Sequence, residues 1–191
     1  EGSGAPIQCP RGTMNNKFGL ENVSSCQNCT EGFYCPENGT ITAQLECPAG
    51  FYCPSGTAIP IDFCPVGHYC PMNQKEPLKC PPGTYNFEEG QEECIECPAG
   101  YFCEEATEVP EICPEGSFCL AGTTYGTEYL CPRGTYSNFT GLMNYTECTP
   151  CTPGFYCNDT GLTAPTGRCS AGYFCAQASS FQEPLNGNEE N

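Results

Sequence analysis

Seven copies of one short cysteine motif constrain the fold of this chain more than any other feature. Each copy consists of Cys, usually Pro, any residue, Gly, any residue, an aromatic residue and a closing Cys, as in the segment from Cys97 to Cys103. We call this motif a knuckle. The other six knuckles close at Cys35, Cys53, Cys70, Cys119, Cys157 and Cys175. Self-similarity at such short intervals predicts a tandem-repeat protein.

The composition favours cross-links in place of one large core. The 191 residues include 20 Cys, 22 Gly and 19 Pro, and no Trp. A chain with so many turn residues and only short apolar runs cannot bury enough surface in a single core, so disulfides must supply stability. An even cysteine count at regular spacing predicts that all of them pair. The predicted disulfide cysteines are Cys9, Cys26, Cys29, Cys35, Cys47, Cys53, Cys64, Cys70, Cys80, Cys94, Cys97, Cys103, Cys113, Cys119, Cys131, Cys148, Cys151, Cys157, Cys169 and Cys175.

The same residues predict an extracellular protein, either secreted or on the cell surface. Disulfides persist in oxidising compartments, and the chain also carries six Asn-x-Ser/Thr sequons for N-linked glycans. The predicted glycosylation sites are Asn22, Asn28, Asn38, Asn138, Asn144 and Asn158. The sequence shows no signal peptide and no membrane span. We therefore expect a mature product or a portion of a longer protein.

A longer motif divides the chain into three cysteine-rich units. It begins Cys-Pro-x-Gly-Thr at Cys9, Cys80 and Cys131, and it ends in a Cys-x2-Cys pair that opens the next knuckle. The predicted domains are an N-terminal extension (1–8), unit 1 with eight cysteines (9–79), unit 2 with six (80–130), unit 3 with six (131–175) and a C-terminal tail (176–191). We expect the extension to be flexible, and the tail to be disordered or ordered only by contact with another chain.

The predicted fold class is a small disulfide-rich protein, an elongated array of cysteine-rich modules with short β-hairpins and almost no helix. Helical periodicity is missing, and Pro and Gly recur throughout. The linkers between knuckles are short, which predicts one continuous rod.

Comparison of the seven knuckles separates fixed from variable positions. The Gly is invariant, which predicts a positive φ or a close backbone approach. The residue before the closing Cys is always aromatic, and we expect this set to cover the cystines. The residue before that varies, and neighbours on a strand point to opposite faces. This alternation predicts an outward row of aromatic side chains that could form a lateral contact surface: Phe33, Phe51, Tyr101, Phe155 and Tyr173.

The spacing Cys-Pro-x-Gly-Thr-Tyr, then Cys-x2-Cys-x2-Gly-x-aromatic-Cys, resembles the ephrin-receptor-like (GCC-type) cysteine-rich repeat. The resemblance covers residues 9–175 and extends in spacing to tumour-necrosis-factor-receptor modules and, more loosely, to EGF-like modules. It implies pairing of Cys9 with Cys26, Cys80 with Cys94, and Cys131 with Cys148. For the remaining cysteines two patterns stay open, and in unit 1 the extra knuckle favours self-closure or a shifted ladder. A receptor-like pattern joins Cys97 to Cys113 and Cys103 to Cys119, and likewise Cys151 to Cys169 and Cys157 to Cys175, whereas the alternative closes each knuckle on itself.

Metal and cofactor chemistry finds little support in the residues. The Cys-x2-Cys pairs could hold zinc or exchange thiols, but His68 is the only histidine, so structural pairing is predicted. Asp62 and Asp159 are the only aspartates, and no calcium-loop motif is present, so we predict no specific calcium site and no cofactor. A run of acidic residues is expected to be a solvated face that could bridge chains through cations: Glu88, Glu89, Glu92, Glu93 and Glu96.

The net charge and the types of catalytic side chain present argue against two functional classes. A net charge of −17 with six Lys and Arg argues against a nucleic-acid partner. One histidine and no nucleophile–base set argue against an enzyme. The sequence therefore predicts an extracellular structural glycoprotein that assembles into a fibre, surface coat or ciliary appendage, as the resemblance to repeats of protist surface and flagellar-hair (mastigoneme) proteins also implies. The alternative is a receptor or adhesion ectodomain that binds a protein ligand.

Overall fold

The computed structural model describes residues 7–184, and their regular structure is almost entirely short β-hairpins. Two 3-10 turns, Val23–Ser25 and Tyr145–Glu147, are the helical elements of this range. Seven antiparallel pairs of two-residue strands are present: β1 (Thr13–Met14) with β2 (Gln27–Asn28), β3 (Phe33–Tyr34) with β4 (Leu45–Glu46), β5 (His68–Tyr69) with β6 (Leu78–Lys79), β7 (Thr84–Tyr85) with β8 (Ile95–Glu96), β9 (Tyr101–Phe102) with β10 (Glu111–Ile112), β11 (Thr135–Tyr136) with β12 (Thr149–Pro150), and β13 (Phe155–Tyr156) with β14 (Gly167–Arg168). The prediction of a disulfide-rich hairpin array with almost no helix is confirmed.

All seven hairpins have the same register. The residue after a Cys-x-x-Gly turn lies opposite the residue before the next opening cysteine, as Phe33 does with Glu46 and Thr84 with Glu96. Two single bridges, Phe51 with Phe63 and Ser117 with Leu130, occupy the equivalent place. One hairpin design therefore recurs nine times among residues 7–184.

This common register shows that long motifs and knuckles are the same structural repeat. Each repeat opens with Cys-x-x-Gly, and we number the repeats 1 to 10 by their opening cysteines: Cys9, Cys29, Cys47, Cys64, Cys80, Cys97, Cys113, Cys131, Cys151 and Cys169. In repeats 1, 5 and 8, which begin the long motifs, the position of the closing cysteine is held by Asn15, Asn86 and Ser137. The prediction of two kinds of element, long motifs and knuckles, is wrong, because these three repeats lack only the closing cysteine.

Ten disulfides join all twenty cysteines, and none is free. Seven knuckles close on themselves across six residues, for example Cys47–Cys53 and Cys97–Cys103. The long-motif pairs are Cys9–Cys26, Cys80–Cys94 and Cys131–Cys148. The receptor-like alternative is wrong for this structure, because the turn at the invariant Gly brings the opening and closing cysteines of one knuckle together, at Cα–Cα distances of 5.9 Å in both examples. The other self-closed pairs are Cys29–Cys35, Cys64–Cys70, Cys113–Cys119, Cys151–Cys157 and Cys169–Cys175.

Where the closing cysteine is missing, a polar side chain takes its place. Asn86 is fully buried, and its Nδ2 donates hydrogen bonds to the carbonyl oxygens of His68 at 2.8 Å and Glu93 at 3.1 Å. Ser137 is also fully buried, and its Oγ donates to the carbonyl oxygen of Phe139 at 3.1 Å. Short polar side chains of this kind satisfy buried backbone groups that would otherwise be costly. These residues tie the loop locally in place of a cystine.

Successive repeats are joined by a recurring set of backbone hydrogen bonds, which repeats 2 and 3 illustrate. The Gly32 N–H donates to the Cys53 carbonyl, and the Cys47 N–H donates to the Gly32 carbonyl, both at 2.9 Å. The Gly56 N–H donates to the Cys29 carbonyl at 2.9 Å, and the Cys35 N–H donates to the Thr57 carbonyl at 3.0 Å. Backbone groups buried in tight turns need such partners, and here the neighbouring repeat supplies them. We call this set the inter-repeat ladder.

Contacts divide the chain into two compact units, Glu1–Cys80 with Asn86–Cys94, and Pro81–Tyr85 with Ile95–Asn191. Within each unit the ladder connects neighbours along the sequence, which is the interaction pattern of repeat proteins. The core of each unit consists mainly of cystines, since 17 of the 18 buried apolar residues between positions 7 and 184 are cysteines and the other is Leu142. Many small sulfur cores therefore take the place of one hydrophobic core, and the three-unit domain division stays a prediction.

The invariant glycine of each repeat, which we call the turn glycine, has a positive φ, and a close backbone approach accompanies it in repeats such as the third. Gly50 has φ +82°, and a Cβ added there would lie 2.3 Å from the Gly90 carbonyl oxygen two repeats further on. Only glycine adopts this conformation without strain and also leaves room for that oxygen.

The terminal segments are described in part. Residues 1–6 and 185–191 lie outside the described range, so the predictions for the extension and for the end of the tail stay untested there. Residues 176–184 differ from the prediction, because they bond to their own chain. The Ala178 N–H donates to the Cys151 carbonyl at 2.9 Å, and the Ser170 Oγ donates to Glu183 Oε1 at 3.0 Å. They complete the tenth repeat.

Candidate functional site

The knuckle aromatics do not divide into an inward and an outward set. Tyr34, from the set expected to cover cystines, and Phe33, from the outward row, are both half-buried, and Phe51 and Tyr52 repeat this. The reason is that a two-residue hairpin is a narrow ribbon with no second sheet packed on either face, so neither side chain is fully covered. The expected alternation of burial is therefore wrong for these positions.

The outward row is partly occupied by contacts within the chain. The ring of Phe51 lies 4.6 Å from that of Phe63, and the Arg168 guanidinium lies 5.8 Å from the centre of the Phe155 ring. Tyr101 and Tyr173 are 38% and 46% exposed. None of the five members is fully buried, so the lateral contact surface stays a hypothesis.

Phe118, the aromatic residue before the closing cysteine of repeat 7, shows how one repeat packs on the following repeat. It packs against the Cys131–Cys148 disulfide and the buried Leu142 of repeat 8. Its ring centre lies 5.6 Å from that of Tyr129, in a stacked arrangement, and 6.5 Å from that of Tyr145, in an edge-on arrangement. Ladder bonds flank this contact, since the Cys119 N–H donates to the Leu142 carbonyl at 2.9 Å. Phe118 thus inserts into a small apolar site on the face of the following repeat.

The matching face of repeat 1 is an open cavity. It has a volume of about 680 Å³ and is lined by Ile7, Cys9, Leu20, Val23 and Cys26, together with Gln8, Asn15, Glu21, Asn22, Gly39 and Thr40. A second cavity of about 350 Å³ lies at repeats 1 and 2 beside Met14, Phe33 and Ile41. Leu20 occupies the position of Leu142 in repeat 8, yet it is 39% exposed where Leu142 is 6% exposed. The first repeat therefore presents an apolar surface that its counterpart buries.

The face of the last repeat is also uncovered. Phe174 of repeat 10 is 75% exposed, although its six counterparts before a closing cysteine are half-buried. The turn glycines of repeats 1 to 8 are buried, whereas Gly154 and Gly172 are exposed and have no atom within 4 Å of an added Cβ. In earlier repeats, the next two repeats cover these positions. Sequence comparison could have found both faces, because the end repeats share the motif whose apolar residues are buried elsewhere.

The six sequon asparagines lie at or near the surface. Asn22, Asn28, Asn38, Asn138 and Asn158 are exposed, and Asn144 is half-buried. Asn38 accepts a hydrogen bond from the Arg11 backbone N–H at 3.2 Å, and Asn158 accepts one from Thr166 Oγ1 at 2.8 Å. The Asn28 side chain lies against the αL glycine Gly56, about 3.5 Å from an added Cβ. Surface position is compatible with glycosylation at all six, which stays a prediction.

Asn22 and Asn144 share one local structure. Each is the N-cap of a 3-10 turn, and its Oδ1 accepts a hydrogen bond from the backbone N–H two residues later, at 3.0 Å from Ser24 and 2.9 Å from Thr146. The sequon hydroxyls of Ser24 and Thr146 bond to the same oxygens. The capped turn explains the recurring sequence, because Asn is a preferred N-cap residue.

The polar residues singled out in the sequence do not converge on a site. His68 is half-buried, and its Nδ1 lies 3.0 Å from the Val66 carbonyl oxygen. The glutamates Glu88, Glu89, Glu92, Glu93 and Glu96 are all exposed. Hydrogen bonds from the Thr124 backbone and side chain lower the pKa of Glu128, and the carboxylate of Glu128 raises the pKa of Tyr129. Within residues 7–184, His, Cys, Asp and Glu form no group of three or more that could ligate a metal ion.

Comparison of the chain with protein-family models and with curated proteins finds no match. Among residues 7–184, no helix has the length and apolar character needed to cross a membrane.

Proposed function

We propose that this chain is an extracellular structural glycoprotein whose repeats assemble into a fibre, surface coat or ciliary appendage. The inter-repeat ladder is the observation that carries the proposal. Successive repeats meet through recurring backbone hydrogen bonds, and repeat 7 adds the aromatic side chain of Phe118, so a surface that binds a repeat of this type recurs along the chain. A protein of this construction provides spacing and cohesion, and we assign it no catalytic role.

The disulfides and sequons support an external location for this role. Ten disulfides fit a protein that folds in an oxidising compartment. The cysteine spacing, with its resemblance to ephrin-receptor-like repeats of protist surface and ciliary-appendage proteins, points the same way. Glycans on surface asparagines such as Asn22 and Asn144 would limit proteolysis and side-by-side aggregation.

Electron microscopy and sedimentation of the glycosylated, unreduced protein test this proposal. The expected result is regular polymers at about 0.15 M salt, where charge repulsion is screened beyond roughly 8 Å. Reduction should disperse the polymers, since it removes the cystine cores. A protein that stays monomeric across the accessible concentration range contradicts the proposal.

The second candidate is a receptor or adhesion ectodomain. The apolar cavity at repeat 1 favours it, because concave apolar surfaces are the usual binding sites of soluble proteins. Pull-down of a discrete extracellular partner by monomeric protein, without polymer formation, would favour this function over the structural one.

A further inference from the structure

We infer that an exposed apolar patch on repeat 3 docks a partner protein through an extended segment that carries both basic and apolar side chains. The patch consists of Phe51, Ile61 and Phe63, and we call it the repeat-3 patch. Its members belong to one compact unit, and repeat 3 has a neighbouring repeat on each side along the chain. The inference goes beyond the proposed function, because its partner is a different protein and the contact does not depend on polymer formation.

The three side chains of the repeat-3 patch lie together on one side of a short antiparallel pair. Phe51 lies opposite Phe63, and their ring centroids are 4.6 Å apart. The pairing extends to Asp62, whose carbonyl oxygen accepts a hydrogen bond from the Tyr52 N–H at 3.2 Å. Because residues two apart on a strand share one side, Ile61 lies beside Phe63. The patch is therefore contiguous.

The repeat design does not require apolar side chains at these positions. Ile61 is 72% exposed and Phe63 is 54% exposed. In repeat 2 the equivalent residues are Gln44 and Glu46, and the hairpin forms with the same register. Contiguous apolar groups on a surface typically mark an interaction site. The exposed apolar side chains of repeat 3 are thus available for a partner, since folding of the repeat does not need them.

Carboxylates border the repeat-3 patch. The Phe63 ring lies against Gly90, since its Cδ1 is 3.2 Å from a Cβ added there. Four exposed glutamates lie within three residues of Gly90: Glu88, Glu89, Glu92 and Glu93. Among residues 7–184, none of these four forms an ion pair. A negative border favours a partner with Lys or Arg beside its apolar residues, and it disfavours a second copy of this chain, whose net charge is −17.

The local sequence favours recognition through side chains. Pro60, which precedes Ile61, has no N–H, and a proline at an edge disfavours the addition of a further strand. Ile59 is 51% exposed and adds apolar surface next to the patch. Because the hairpin is a narrow ribbon, one extended segment can cover it. Burial of the partner's apolar groups then supplies affinity, and its Lys or Arg residues supply specificity and a faster association.

Fluorescence anisotropy of labelled peptides with the glycosylated, unreduced protein tests the contact. The probe is a peptide with three repeats of Lys-Leu-Gly. One matched peptide has three repeats of Lys-Ser-Gly and keeps only the charge, and the other has three repeats of Glu-Leu-Gly and keeps only the apolar groups. The probe should bind at least about fivefold more tightly than either matched peptide, as expected when an apolar anchor is buried beside complementary charge.

The substitution Ile61→Thr tests the patch itself. The repeat accommodates threonine at this position, because Thr166 is the equivalent residue of repeat 9. The substitution should weaken probe binding at least about fivefold through loss of an interface anchor. Val109→Thr is the matched control, since Val109 is 71% exposed in repeat 6, and it should leave probe binding unchanged.

The paired substitution Glu89→Gln and Glu92→Gln tests the carboxylate border. It should weaken probe binding at least about twofold at low ionic strength, and added salt should reduce the difference because it screens exposed charges. Glu111→Gln with Glu115→Gln removes the same charge from exposed positions of repeats 6 and 7 and is the control. Equal weakening by the two pairs would show that net charge alone attracts the probe, and it would overturn the assigned border.

The remaining outcomes also decide the inference. Probe binding that Ile61→Thr leaves unchanged overturns the patch, and equal binding of the Lys-Ser-Gly peptide overturns apolar recognition. Absence of probe binding overturns the inference as a whole. Self-association of the parent protein that Ile61→Thr weakens would show that the patch joins copies of this chain, which overturns the basic partner. Sedimentation scores polymer formation separately, so the proposed function stands or falls independently. Retained native near-ultraviolet circular dichroism in each variant excludes misfolding as the cause.

Discussion

The substitution Gly50→Ala tests whether the turn position must be glycine because a repeat two places further along the chain packs against it. Its added Cβ would lie 2.3 Å from the Gly90 carbonyl oxygen, at a backbone φ of +82°. The left-handed conformation costs an alanine about 1–2 kcal/mol, and the displacement of a packed backbone atom adds about 1–3 kcal/mol. We therefore expect the free energy of unfolding to fall by about 2–5 kcal/mol.

Gly56→Ala is the matched control for this prediction. Gly56 has φ +89°, but the nearest atom to its added Cβ is Asn28 Cγ at 3.5 Å, an ordinary contact. The control therefore carries the conformational cost without the collision, and the entropy change of the unfolded chain is the same in both variants. Unfolding by guanidinium with disulfides intact measures the difference, and native-state hydrogen exchange of the Gly90 amide, which bonds to the Cys64 carbonyl at 2.8 Å, localises it. Equal destabilisation by the two substitutions would refute the role assigned to the close approach.

Three further predictions concern cystines, their substitutes and an exposed carboxylate. Replacing both Cys47 and Cys53 by Ala should lower the free energy of unfolding by about 2 kcal/mol, and replacing both Cys131 and Cys148 should lower it by about 3 kcal/mol. The second loss is larger because that pair closes a loop of 17 residues, whereas the first closes 6. Denaturant unfolding of both double variants checks the order, and a reversed order would count against the loop-entropy explanation. Asn86→Ala should cost about 1–3 kcal/mol, since it leaves the His68 and Glu93 carbonyl oxygens without their donor, whereas the same substitution at the exposed Asn38 should cost much less. Thr124→Val should raise the pKa of Glu128 toward its ordinary value by removing one of two Thr124 hydrogen bonds, measurable by carboxyl NMR titration. Because the folded-state pKa of Glu128 is lowered, its contribution to stability is present above the ordinary glutamate pKa and is lost as pH falls through the folded-state value, so a parent protein with an ordinary Glu128 titration would contradict this prediction.

The cysteine spacing was sufficient to predict the fold class, because a knuckle with an invariant Gly can only be a tight turn. It was not sufficient to choose between self-closed knuckles and receptor-like pairing, since both patterns use every cysteine. The deciding feature is three-dimensional: the hairpin register puts the residue after Gly50 opposite the residue before Cys64, and Cys53 then faces Cys47.

The single-repeat design was missed because the sequence signal was read through cysteines alone. Asn15, Asn86 and Ser137 stand six residues after an opening cysteine, where a knuckle has its closing cysteine. Counting from the Cys-x-x-Gly turn instead would have found ten repeats in place of seven knuckles and three long motifs. The similar burial of neighbouring aromatics such as Phe33 and Tyr34 was also beyond prediction, because the two-residue alternation rule presumes a sheet with one covered face.

Sequence comparison locates the equivalent positions of repeats 1 and 10, and the structure adds which of them are covered. Leu20 and Leu142 are equivalent in sequence, and their difference in exposure comes from the presence of Phe118 on one of them. In a repeat protein, the exposure of a residue can therefore be compared with that of the equivalent residue in another repeat, and the comparison identifies apolar positions that are uncovered.

Disulfide mapping of the unreduced protein tests most directly whether the chain consists of self-closed repeats. Cleavage after glutamate divides the segment between Cys103 and Cys113 at Glu104, Glu105, Glu108 and Glu111. Self-closed knuckles predict that the fragment with Cys97 and Cys103 separates from the fragments joined by Cys113–Cys119 without reduction. One disulfide-linked species that contains both Cys97 and Cys113 would contradict the ten-repeat structure.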